Sequence, residues 1–495
     1  MDPPAAGDDL LLVSGVDGAT GGYLLPPLRP AVVAAVARGE PVDRHELLEL
    51  RARHRRAAVE HLGPVAEVDP SDLAEAGWGV VFARDADPAV RRALRPLLDH
   101  RRDQATSATG PARYREFAGA DGYQPGETAA DFLVRHQVSP GQPADPRRMP
   151  YYLLLVGDPE AIPFGFQFRL DIVYAVGRLD LETPEDYERY ALGVVDSEQA
   201  ATAAPPRVTF FATRHPDDRP TRLSADHLVA PLARAAARLG TWPVGHVAGE
   251  AATKARLGRL LGGEAAPGLL FLAGHGMGFA GGDPRQRSHQ GALLCQDWPG
   301  PLAWRAPIPP ELYFAGDDLA GDARLDGLVV VLHACFGAGT PRLDDFVGSA
   351  LRLPAVLAPT AFVGRLPQRL LGRAGGALAV IGHVERAWGY SYLWPGVGEQ
   401  TAVYESVVRV LLAGGRVGLA AEFINDRGAA LAGDLDDERE AVVYGRVPDE
   451  RKLSLLWAAR NDARNTVVLG DPAVRINRHH APYLPAGAEG TIRRP

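Results

Sequence analysis

Two apolar runs in the second half of the chain end in residues able to do nucleophilic chemistry. Leu269-Leu-Phe-Leu-Ala273 leads into Gly274-His275-Gly276-Met277-Gly278, and Leu328-Val-Val-Val-Leu332 leads into His333-Ala334-Cys335-Phe336-Gly337-Ala338-Gly339-Thr340-Pro341. In open α/β sheets functional groups gather beyond the carboxyl ends of the strands. If these two strands are neighbours, His275 and Cys335 reach one rim although 60 positions (335 − 275) separate them. A nucleophilic cysteine needs a nearby imidazole or an electropositive turn to raise its reactivity at neutral pH. Gly276 and the backbone at Cys335 could then bring bare N–H groups to a tetrahedral intermediate, where each such donor is worth on the order of 10²–10³ in rate.

Each residue taken alone has a plainer explanation, because a histidine between glycines suits a turn and a lone thiol is commonly buried packing. Joint placement at two strand ends favours catalysis. Cys295 follows Ala292-Leu-Leu and has no glycine-rich turn or His-Gly beside it, so it reads as an inert apolar residue. His333 shares a strand face with Cys335 and is a candidate for tuning it.

The elements that must position these residues follow from the apolar pattern. Trp78-Gly-Val-Val-Phe82 and Tyr151-Tyr-Leu-Leu-Leu-Val156 read as buried strands with a charged helix near 87–103 between them, followed by a link at 200–206. A second series begins at Val208-Thr-Phe-Phe-Ala212, with a helix at about 224–239. It continues through the two runs above, Ala355-Val-Leu-Ala358, Ala377-Leu-Ala-Val-Ile381 and Thr466-Val-Val-Leu469. Alternating apolar strands and helices imply an α/β fold built on a mainly parallel sheet with helices on both faces. Helices are also expected over 400–430 and 450–461. The Gly-Asp-Pro triplets at 157–159 and 470–472 read as local turn chemistry. The domains implied are a mostly helical extension over 1–75, a smaller α/β subdomain over 76–200, a catalytic domain over 205–477 and a tail over 478–495.

An apolar strand ending in His-Gly, followed by one ending in His-Ala-Cys-x-Gly-Ala-Gly-Thr-Pro, resembles the gingipain-type cysteine peptidases of the caspase-like clan. Tyr151 to Asp158, Tyr174-Ala-Val-Gly-Arg178, Gly382-His-Val-Glu-Arg-Ala-Trp388 and Val468-Leu-Gly-Asp-Pro472 are similar to that family's framework, so the likeness spans roughly 76–477. It implies a caspase-like sheet beside a smaller subdomain, a thiol nucleophile at Cys335, proton transfer by His275 and oxyanion donors at Gly276 and Cys335. It also implies that the loop after the first strand of the second series, and the segment after the Ala377 strand, wall the pocket for the residue before the scissile bond. The candidates are Asp217, Asp218 and Asp226, as anions for an Arg or Lys side chain, with Trp388, Tyr390 and Ser391. The plainer reading of the acids is that they are solvated or start a helix. The activity implied is a cysteine endopeptidase working through a thioester; the alternative is a catalytically idle or self-cleaving interaction scaffold of the same fold.

Composition narrows the rest. The 495 residues carry a formal net charge of −8, which argues against a nucleic-acid binder. Two cysteines make no disulfide framework, the first residues lack a leader pattern, and no apolar run approaches the roughly 18 residues of a membrane span. A soluble, cytoplasmic protein acting on a protein or peptide is expected, with a regulatory partner protein allowed. No cofactor and no metal is expected: there is no HExxH or paired CxxC, and the acidic clusters at 316–322 and 433–437 lack the spacing of an EF-hand.

Overall fold

The computed structural model describes residues 63–65, 68–106, 113–200, 207–262, 266–346, 353–394 and 396–476, with Tyr390 described in its backbone only. Residues 1–62 of the expected helical extension, and the tail beyond 476, lie outside the described residues.

Ten strands form one sheet: β1 Trp78–Phe82, β2 Tyr114–Phe117, β3 Tyr152–Val156, β4 Ala175–Leu179, β5 Val208–Ala212, β6 Val244–Ala248, β7 Leu269–Ala273, β8 Val329–His333, β9 Ala379–His383 and β10 Thr466–Gly470. Their spatial order is β2-β1-β3-β4-β10-β9-β8-β7-β5-β6. The first five in that order run parallel to one another, as do the last five, and the two sets meet at the antiparallel pair of β10 and β9. The α/β fold and mainly parallel sheet expected from the apolar runs are therefore present.

The strands are apolar because they are covered on both faces, and eight of them are buried at every position. The exceptions, β2 and β6, are the two edges. The last strand of the chain pairs with both sets and so joins them in one sheet; residues 201–206 of the expected link lie outside the described residues. A consequence for the site follows. The carboxyl ends of β5, β7, β8 and β9 point to one side, and those of the first set point to the opposite side.

Three sequence expectations change. Ala355–Ala358 is no sheet strand; its neighbourhood makes one bridge, Leu343 to Val356. Pro354 and Pro359 bracket it and remove ladder donors at both ends. The helix expected at 224–239 starts earlier, at Arg219–Ser224, passes through one π turn at Ala225–Val229 and continues to Leu239. The second Gly-Asp-Pro triplet is more than a turn. Asp471, fully buried, accepts hydrogen bonds from Arg101 Nε at 2.7 Å and Trp78 Nε1 at 2.9 Å, and Arg101 also pairs with Glu198 at 2.7 Å. This buried ion cluster ties the helix before β2 to the last strand.

Candidate active site

β7 and β8 are adjacent and parallel, and their register pairs Ala273 with His333, an offset of 60 positions (333 − 273). His275 and Cys335 each lie two residues beyond that last pair. The chain stays close there, because Gly274 N–H still donates to the His333 carbonyl at 3.4 Å. At Gly276 the two backbones touch: a Cβ on this residue would lie 1.8 Å from the Cys335 carbonyl oxygen. Glycine is thus required at 276 by its own neighbour in the fold. Neither the Gly276 N–H nor the Cys335 N–H donates to a backbone carbonyl among the described residues.

Phe336, directly after the thiol, has φ of 59°, a left-handed conformation that costs a non-glycine residue about 1–3 kcal/mol. The surroundings impose it. Phe336 N–H donates to the Glu385 carbonyl at 2.7 Å and Ala338 N–H to the His383 carbonyl at 2.9 Å. The sharp turn presents Cys335, which is only partly exposed. Burial pushes its thiol above the ordinary range, against the pull of the Ala387 backbone and of the nearby Arg386 charge. Cys295 is fully buried beneath the same rim, and burial pushes its thiol up to about 12.

His275 has a partner that sequence reasoning placed elsewhere. Its Nε2 lies 2.9 Å from Asp218 Oδ2, which leaves Nδ1 as the nitrogen free for reaction. Asp218 comes from the loop after β5, the other neighbour of β7, and caps the helix Arg219–Ser224 by accepting from Thr221 N–H at 3.2 Å. Burial raises its carboxyl, but the hydrogen bonds from His275 and Thr221 outweigh that and hold it at about 2. It is an anion at any working pH. The available signal was the Asp-x-Pro-Thr pattern of a helix start at the end of a strand adjoining the histidine strand. On the other side His275 packs edge-on to Trp298, with centroids 6.2 Å apart.

The remaining expected pocket residues do not converge. Asp217 Oδ2 accepts from Leu302 N–H at 3.0 Å, and Asp226 forms a two-pronged pair with Arg214 at 2.9 and 3.0 Å. All three acids, two in the loop after β5 and Asp226 in the π turn of the following helix, are thus engaged by the protein's own donors. Ser391 is fully buried, and its hydroxyl donates to the Trp388 carbonyl at 2.7 Å, so it holds a turn. The Trp388 ring stands against Phe346 and Trp457, with centroids 5.8 and 5.7 Å away. The side chain of Tyr390 lies outside the described residues. His333 is buried, and burial with the neighbouring His383 pushes its imidazole down to about 4, so it is neutral. Among the described residues no group of three or more His, Cys, Asp or Glu side chains is arranged to hold a metal ion.

No family model and no curated protein matches the chain. Among solved structures it is similar to the Arg-specific cysteine proteinase gingipain R (RGPB), at 13% identity over 81% of this chain and 78% of that one, with a TM-score of 0.44. A second similar structure, described as a protease, has 13% identity, the same coverage and a TM-score of 0.45. A third, the complex of Porphyromonas gingivalis RgpB pro- and mature domains, has 13% identity over 81% of this chain and 79% of that one, with a TM-score of 0.42.

Proposed function

We propose that the protein is a cysteine endopeptidase with Cys335 as nucleophile and His275 as its acid–base partner. The observation that supports this reading is the close approach of the two strand ends: Ala273 pairs with His333, a Cβ on Gly276 would lie 1.8 Å from the Cys335 carbonyl oxygen, and among the described residues no backbone carbonyl takes the Gly276 or Cys335 N–H. The thiol attacks the scissile carbonyl as its proton passes to His275 Nδ1, and the oxyanion is held by the Gly276 and Cys335 amides. The imidazolium, oriented by Asp218, returns the proton to the departing amine as the C–N bond breaks. Water then cleaves the thioester and restores the thiol. A thiol raised above its ordinary range suits this order of events, since ionisation is coupled to substrate attack.

A basic residue before the scissile bond is part of the proposal, with its anion moved from the β5 loop to Glu385. This residue's carbonyl is bonded to Phe336, next to the nucleophile. Burial and the nearby Asp345 push its carboxyl up to about 7, and its partner Arg386 is already matched by Asp344 at 2.6 and 3.1 Å. A substrate cation would relieve that excess of negative charge. A positional-scanning peptide library run on wild type and Cys335→Ala tests both parts. Turnover with Arg or Lys preferred, lost in the variant, is expected; equal turnover by the variant ends the reading, and preference for another residue ends the Glu385 assignment alone.

A further inference from the structure

Asp218 holds His275 at one atom, through the 2.9 Å contact with Nε2. A single hydrogen bond to a ring nitrogen fixes a point and leaves the imidazole free to turn about it. The side chain is also 35% exposed, so packing does not enclose it. Proton transfer between a sulfur and a departing nitrogen depends on the direction in which Nδ1 points. A second contact is needed to fix the plane of the ring.

The chain that follows supplies one. Residues 292–294 lie antiparallel to 275–277: Leu294 N–H donates to the His275 carbonyl at 2.9 Å, and Met277 N–H to the Ala292 carbonyl at 2.8 Å. The turn after them, closed by Trp298 N–H on the Cys295 carbonyl at 3.2 Å, brings the Trp298 ring back against the histidine. The two rings stand at 82° with centroids 6.2 Å apart, an edge-to-face pair. The same indole packs at 74° against His215, with centroids 4.9 Å apart. His215 belongs to the loop that carries Asp218, and its carbonyl accepts from Asp218 N–H at 3.2 Å. Trp298 is 7% exposed, and its Nε1 makes no hydrogen bond among the described residues, so packing alone places the ring.

We propose that Trp298 is a positioning residue for His275: Asp218 holds the imidazole at Nε2, the indole holds its plane, and together they fix the direction of Nδ1. This rests on the reading of His275 as the acid–base partner of Cys335. The indole is itself latched to the β5 loop on both sides in sequence. Before it, Gln296 Oε1 accepts from Arg214 N–H at 2.7 Å while Gln296 Nε2 donates to the Arg214 carbonyl at 3.1 Å. After it, Asp217 Oδ2 accepts from Leu302 N–H at 3.0 Å, and a Cβ on Gly300 would lie 2.3 Å from Asp217 Oδ1. Asp217 thereby fastens the loop that carries Trp298. Beneath the ring lies an apolar cluster that includes Met277, Leu294 and Tyr313.

The experiment compares wild type with Trp298→Ala, Trp298→Leu and Trp298→Phe in the full chain. Peptide cleavage is expressed per Cys335 that iodoacetamide can titrate, so that loss of folded protein does not count as loss of kcat. Trp298→Ala and Trp298→Leu should lower kcat on the order of tenfold or more with KM changed less than about threefold, and Trp298→Phe, which keeps an aromatic edge, should recover most of it. The second readout needs no turnover: ¹³C relaxation of His275 Cε1–H in histidine-labelled protein, with the resonance identified by its absence from His275→Gln. Its order parameter should fall in the Ala and Leu variants and be kept in the Phe variant. Should Trp298→Ala fail to fold, Trp298→Leu, which retains apolar bulk, carries the comparison. An order parameter in Trp298→Leu equal to wild type overturns the proposal, as does a kcat within about twofold of wild type. A wild type that alkylates normally but cleaves no peptide would fault the peptidase reading, and the relaxation of His275 would still decide whether Trp298 holds the ring.

Discussion

If Asp218 orients His275, replacing its carboxylate should damage turnover far more than stability. Two functions meet on Oδ2, the 2.9 Å contact with His275 Nε2 and the helix cap on Thr221 N–H. Asparagine caps a helix about as well as aspartate, so Asp218→Asn should keep the cap, whereas Asp218→Ala should lose about 0.5–2 kcal/mol of stability. What Asn cannot supply is the negative charge facing the imidazolium that forms in the transition state. Hydrogen bonds to charged groups are worth about 1.5–3 kcal/mol. Asp218 is largely buried and its carboxyl lies at about 2, so little of that interaction is lost to solvent screening. The predicted loss in kcat is then roughly 10- to 150-fold at about 1.36 kcal/mol per tenfold. Steady-state cleavage of a peptide substrate, with thermal unfolding of both variants and stoichiometric alkylation of Cys335 as controls, measures it. A kcat for Asp218→Asn within twofold of wild type, with alkylation intact, would reduce Asp218 to a helix cap and refute the reasoning.

Gly276→Ala should abolish turnover and lower the unfolding temperature by several degrees, because its Cβ would fall 1.8 Å from the Cys335 carbonyl oxygen and the backbone of either strand end must move; an active, equally stable variant would contradict the contact. Glu385→Gln should stabilise the protein above pH 7 and do nothing below about pH 4.5. A carboxyl at about 7 in the fold against 4.5 for its ordinary value has no burial cost while protonated in both states, and that cost grows as pH rises through this window. Urea unfolding at pH 4.5 and pH 8 distinguishes this from a gain equal at both. Under native conditions near pH 8 alkylation should mark Cys335 and spare Cys295, whose buried thiol lies at about 12; the reverse pattern would exchange their roles.

The first strand of each set, the helices after 400 and the two strands that carry His275 and Cys335 were legible in the sequence. Continuous apolar runs ending in glycine, histidine and cysteine have few other solutions once both sheet faces are covered. The edge strands Tyr114–Phe117 and Val244–Ala248 were not legible, because an edge needs no continuous apolar run and neither segment has one. The placement of the last strand was not legible for a related reason. Nothing local in Thr466–Gly470 says that it inserts between β4 and β9, parallel to one and antiparallel to the other.

In the site, the sequence by itself determined which residue types could react and that each follows an apolar run; the fold put those two runs side by side. Tertiary structure decided who their partners are. Asp217, Asp218 and Asp226 are equivalent as letters within one stretch of sequence, yet one faces an imidazole, one a backbone amide and one an arginine. A carboxylate's role is set by the donor within about 3 Å, and that donor comes from a segment tens of residues away.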